Sequence, residues 1–123
     1  MRVFQLAAVI GGALVGATAF AGDATPDPAA TAKLHALFEE DWEYGLRESP
    51  TWASHLGDKR YNDRWPDLSL EAIARRHQHR LEMRRRLDAI PRDRLADDDR
   101  LNWDLFARRL DVDIEGDQER GHL

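Results

Sequence analysis

From residue 28 onward the apolar positions recur every three to four residues, and that period predicts an all-α chain. Asp27-Pro28 opens the first helix, with an acid at the cap and proline at the first helical position, and the helix runs to about Arg47. Ala30, Leu34, Leu37, Phe38, Trp42 and Leu46 form its apolar stripe. Glu39, Glu40, Glu43 and Arg47 lie opposite, with Glu43 and Arg47 spaced for an ion pair, and Gly45 weakens the last turns. Ser49-Pro50 repeats the start signal and predicts a short helix from Pro50 to Leu56, ended by Gly57 in the left-handed conformation. Residues 57–69 lack a helical period and read as an irregular loop. Asn62-Asp63 supplies turn chemistry there, Trp65 is extended before Pro66, and Ser69 caps the next helix.

The third helix is expected over 70–90, stopped by Pro91. Leu70, Ile73, Ala74, His77 and Leu81 form the stripe of its first half. Met83, Leu87 and Ile90 form that of its second half, rotated by about a third of a turn. Such a helix either bends or touches two different elements. Glu71 with Arg75, Glu82 with Arg86, and Arg84 with Asp88 are spaced to brace its exposed side. A linker over 91–97 precedes a last helix, whose first turn carries Asp97, Asp98 and Asp99 at the positive end of the dipole. This helix is apolar twice. Leu101, Leu105 and Val112 form one stripe, and Trp103, Phe106, Leu110 and Ile114 form another on the opposite side. A helix apolar on opposite faces is normally sandwiched between layers. The expected architecture is therefore a helical hairpin or bundle fragment of three longer helices and one short one, with the irregular loop at about 57–69. The second apolar face calls for the remaining C-terminal part of a larger protein or for a second copy of the chain.

Before the first helix stands a leader. Arg2 is followed by an uncharged run from Phe4 to Phe20, and Ala19-Phe20-Ala21 offers small residues where a signal peptidase reads. Residues 1–21 are thus read as a cleaved signal peptide, 22–27 as a polar tether and 28–123 as the helical region. This implies export to the periplasm or outside the cell, with no stable membrane anchor after cleavage. The chain has no Cys, which excludes a lipidated N-terminus, disulfides and thiolate chemistry. Its formal charge of -5 falls by one more when Arg2 leaves, which argues against polyanionic partners.

Candidate chemistry is sparse. His35, His55, His77, His79 and His122 are the five histidines, and none is followed by Glu as a His-Glu-x-x-His zinc site requires. His77 falls in an apolar stripe and reads as a core histidine. Asp111, Asp113, Glu115 and Gly116 imitate the start of a calcium loop, but His122 stands where the bidentate Glu belongs, so the segment reads as a frayed acidic helix end. Arg75, Arg76, Arg80, Arg84, Arg85 and Arg86 give the third helix a basic side, read as a solvated face with local acid partners or a surface meeting acids elsewhere in the protein, rather than as a nucleic-acid site. Ser49, Ser54 and Ser69 all have capping or short-helix roles. No catalytic, metal or cofactor-binding residue is assigned.

Two stretches carry a family resemblance. Ala53 with Leu56-Gly57-Asp58, then Arg60-Tyr61-Asn62-Asp63-Arg64 and Pro66-Asp67-Leu68-Ser69, forms the first. Asp99-Arg100-Leu101-Asn102-Trp103-Asp104-Leu105 forms the second. Together they resemble the bacterial family called domain of unknown function 885, over nearly the whole chain from the first helix to the last. That resemblance implies an exported, mostly helical, zinc-metallopeptidase-like protein several times longer, with its His-Glu-x-x-His far downstream. Zinc is expected only in such a full-length relative, and these residues are expected to be its inactive amino-terminal helical part. The alternative is a small periplasmic helical module that binds a protein partner. Within the signature loop Gly57, Asp58, Arg60, Tyr61, Asp63, Arg64, Pro66, Asp67 and Ser69 are expected to act structurally, with Asp58, Asp63 and Asp67 holding Arg60 and Arg64.

Overall fold

The computed structural model describes residues 25–121, so the leader and His122 lie outside the described residues. Within these residues four α-helices succeed one another: α1 (Pro28–Glu48), α2 (Pro50–His55), α3 (Leu70–Asp88) and α4 (Asp97–Arg120), with a 3-10 turn at Arg92–Arg94. Among the described residues there is no strand.

Local chemistry sets the boundaries. Asp27 Oδ1 accepts from the Ala29 N–H at 2.9 Å, and Pro28 sits in the first turn. Ser69 Oγ accepts from the Ala72 N–H at 3.2 Å and starts α3. Ser49 precedes Pro50, yet its hydroxyl makes no capping bond. The end of α2 is a Schellman turn. Gly57 has φ 89°, its N–H reaches the Ser54 carbonyl at 3.0 Å, and the Asp58 N–H reaches the Ala53 carbonyl at 2.9 Å.

Long-range pairs give the topology. Glu48, at the end of α1, meets Arg75 and Arg76 near the start of α3, whereas Glu40 meets Arg86 near its end. The two helices are therefore antiparallel. His77 meets Asp117, and the Trp103 indole N–H donates to the Leu87 carbonyl at 3.1 Å, so α4 runs antiparallel to α3 as well. His35 meets Asp99 and Asp41 meets Arg109, which makes α1 and α4 parallel. The result is an up-down-up arrangement in which α3 lies against both partners, α4 most extensively.

The core gathers Ala30, Leu34 and Leu37 of α1, Met83, Leu87 and Ile90 from α3 and its end, and Ala107 and Leu110 of α4. Leu95, expected in a linker, is fully buried there behind the 3-10 turn. Phe38 and Phe106 meet edge to face at 5.0 Å.

Several expectations are corrected. The aliphatic members of the first-half stripe of α3 are exposed, Leu70 at 81% and Ile73 at 46%, and the residue buried there is Ala72. Polar side chains hold that half to its neighbours instead: His79 and Arg76 toward α1, His77 and Arg80 toward α4. The helix thus touches two elements, the second of the two options its pattern left. His77 is consequently a surface-seam residue bonded to Asp117 and not a core histidine. Trp42 leaves the α1 stripe and stands more than half exposed. Glu43 pairs with Arg60 and not with Arg47, whose guanidinium lies 5.4 Å from the Tyr44 ring centroid. Of the three braces on α3 only Arg84 with Asp88 forms; Glu82 takes Arg85, and Arg75 takes Glu48. Residues 111–116 are not frayed, because α4 continues through them to Arg120.

Candidate functional site

The signature loop is fastened to α1 by one arginine. Arg60 donates to both oxygens of Glu43 at 2.9 and 3.2 Å, and to Asp58 at 2.6 Å. Asp58 is held twice, since it also accepts from the Arg60 backbone N–H at 3.0 Å. The Arg60 side chain keeps the Asp58 carboxyl below its ordinary value, and Asp58 and Glu43 push Arg60 up. Arg60 and Arg64 each lie 5.3 Å from the Tyr61 ring centroid. Arg64 reaches Asp63 only at 3.6 Å. Asp67 holds neither arginine. Its carboxylate accepts from the Ser69 N–H at 2.9 Å, because an acid two residues before a helix cap closes a local turn more readily than it reaches across the loop. Its carbonyl accepts from Arg76 at 2.9 Å. Gly57 and Ser69 end one helix and start the next, and Pro66 is half-buried between them.

The basic side of α3 is spent within the fold. Arg75 and Arg76 go to Glu48, Arg80 to Asp117, Arg84 to Asp111 and Asp88, Arg85 to Glu82, and Arg86 to Glu40. The acids of the calcium-like segment are the partners, Asp111 for Arg84 and Asp117 for Arg80 and His77. Being helical, the segment spreads its carboxylates around an axis and cannot converge them on an ion. A zinc site needs at least three protein ligands around one point. Among the described residues no group of three or more ligating side chains comes together, so they do not fit the zinc that the resemblance implies for a longer protein.

A cleft of about 470 Å³ is lined by residues of α1, α3 and α4, with Ser49 and Trp52 at one end. Sequence reading did not assign it. Its polar centre is Asp41, only 13% exposed, which lies 3.1 Å from His79 Nε2 and also takes Arg109. The His79 ring is stacked on Tyr44, with centroids 3.5 Å apart. Burial, reinforced by the Glu48 carboxylate, pushes the Tyr44 phenol up, and its hydroxyl has no hydrogen-bond partner among the described residues. Trp42 and Trp52 line the cleft and stay more than half exposed. Gly45 faces open space there, since an added Cβ would meet nothing within 4 Å. One signal was present in the sequence: an acid and a glycine one turn apart inside an aromatic-rich half-helix. The partners His79 and Arg109 lie 38 and 68 residues away and leave no local trace.

A sequence profile described as "Bacterial protein of unknown function (DUF885)" matches residues 50–123. The match takes in α2, the signature loop, α3 and α4, and begins after α1, so it is shorter than the span the resemblance suggested. No curated protein and no solved structure matches the chain.

Proposed function

The chain belongs to the bacterial protein family DUF885, and from that premise we propose that residues 28–121 are a helical scaffold region of an exported, metallopeptidase-like protein, without hydrolytic activity of their own. The observation that carries this reading is the outer strip of α4. Leu101, Leu105 and Val112 are 57–58% exposed on the side of the helix away from its buried Ala107 and Leu110. Three large aliphatic side chains, spaced by one turn and then two, form a face suited to another protein layer. The signature loop takes a structural part in the proposal. Arg60 ties it to α1, while Gly57 and Ser69 fix the turn-out of α2 and the turn-in to α3. Zinc and the hydrolytic residues belong, in this reading, to the covering part.

The test is the size and place of the native product. An antibody raised against residues 28–120 is used to blot the fractionated source cells. A band several times larger than this chain in the exported fraction is expected. A single exported band near the mature size of this chain would overturn the scaffold reading and favour a stand-alone module whose α4 strip binds a partner. A cytoplasmic band would overturn export.

A further inference from the structure

The charges around the α1–α3–α4 cleft are unequally spent, independently of the outer strip of α4. Asp41 is taken by His79 and Arg109. Two lining groups keep capacity. Arg109, 54% exposed, uses a single N–H in its bond to Asp41 and lies 4.9 Å from the Phe106 ring centroid, which orients its planar fork. Asp113, 44% exposed, has Arg80 as its nearest cation among the described residues, 3.9 Å away and beyond hydrogen-bond distance. Arg109 and Asp113 are four residues apart on one helix, hence about 6 Å apart at their Cβ atoms. One face of α4 therefore offers the cleft a donor fork and, one turn away, a carboxylate that accepts no hydrogen bond among the described residues, and Trp42 and Trp52 line the same cleft with flat apolar surface.

We propose that this cleft binds a free zwitterionic α-amino acid with a large apolar side chain. Its carboxylate takes the remaining N–H groups of Arg109, its ammonium takes Asp113, and its side chain lies on Trp42 and Trp52. A zwitterion hydrogen-bonds to both groups and brings no net charge into the cleft, whereas a singly charged ligand engages only one of them. The cleft volume of about 470 Å³ falls in the range of small-molecule sites, roughly 300–1,000 Å³.

The probes are L-phenylalanine, phenethylamine and 3-phenylpropanoate, titrated calorimetrically into the full chain. The last two each lack one of the charges. L-phenylalanine is expected to bind at one site, with both analogues weaker by about tenfold or more. Asp113→Asn should weaken L-phenylalanine about tenfold and not weaken 3-phenylpropanoate. Asp113 makes no side-chain hydrogen bond among the described residues, so this variant keeps the helices, as far-UV circular dichroism will verify. Arg109→Gln should mirror it, with no loss of phenethylamine affinity. Should loss of the Asp41 contact unfold that variant, Asp113→Asn and the analogue series decide. Absence of L-phenylalanine binding up to about 10 mM, equal binding of the three compounds, or an unaltered affinity in Asp113→Asn would each overturn the proposal.

Discussion

Gly57 shows how one residue type sets a turn. Its φ of 89° is open to glycine and strained for an L side chain, although an added Cβ would meet nothing within 4 Å. The cost of substitution is therefore conformational and not steric. Gly57→Ala is expected to lower unfolding free energy by about 1 kcal/mol, read as a lower urea midpoint at unchanged slope. An unmoved midpoint would mean that the α2 end is free to re-form without its Schellman turn. Arg60 is the opposite case, a residue whose role comes from reach. Its contact with Asp58 is local, and Asp58 was among the three acids expected to hold the loop arginines. The contact with Glu43, 17 residues earlier, carries the loop onto α1. That second partner was hidden because a long flexible side chain has several carboxylates to choose from, and the sequence gives Glu43 a nearer arginine at helical spacing.

The two apolar stripes of α4 have different fates, and the difference is measurable. Leu110 is 1% exposed and packs with Leu87 and Met83 in the core, while Leu105 stands on the outer strip. Leu110→Ala should cost about 3 kcal/mol through lost burial and the cavity left behind. Leu105→Gln should change stability by less than about 0.5 kcal/mol, because the side chain is already in water. The same Leu105→Gln change should reduce self-association or dye binding of the isolated chain, which an alanine in the core would increase. Equal destabilisation by the two substitutions would mean that the outer strip is covered within this chain. In α3 the spacing rule alone was misleading. Leu70, Ile73 and Leu81 share a face as their period requires, yet all three are exposed, and α3 meets its neighbours in that half through arginine and histidine, His77 of the same stripe among them. Long cationic side chains can span a seam that aliphatic ones would have to fill.

Ion pairs join the three long helices to one another: Glu40 with Arg86 links α1 to α3, Asp41 with Arg109 links α1 to α4, and Arg84 with Asp111 links α3 to α4. Glu40 is held by Arg86, Asp104 by Arg92, Asp58 by Arg60 and Glu82 by Arg85, and in each case the arginine keeps the carboxyl below its ordinary value. A carboxyl depressed on folding contributes stability that is present above its unfolded value, about 4, and is lost as pH falls through the folded one. The urea midpoint is therefore expected to hold between about pH 7 and pH 5 and to drop steadily below about pH 4. Added salt should narrow the difference, since these pairs are largely solvent-exposed. A midpoint that is the same at about pH 3 and pH 6 would show that the pairs contribute nothing net.

Legible along the chain is whatever a few neighbouring residues enforce. Asp27-Pro28, Ser49-Pro50, Gly57, Ser69 and Pro91 mark starts and stops through backbone dihedrals and nearby N–H groups, so the four helices and the loop between the second and third are set by residue order alone. The double stripe of α4 was legible for the same reason, because a helix translates spacing directly into faces. Partner choice was not. Which face of α3 is buried, that Leu95 closes the core, and that Asp41, His79 and Arg109 meet at one cleft depend on contacts between residues far apart in sequence. Such contacts are selected by the packing of whole helices, and a charged side chain with several acids in reach takes the one that this packing brings nearest.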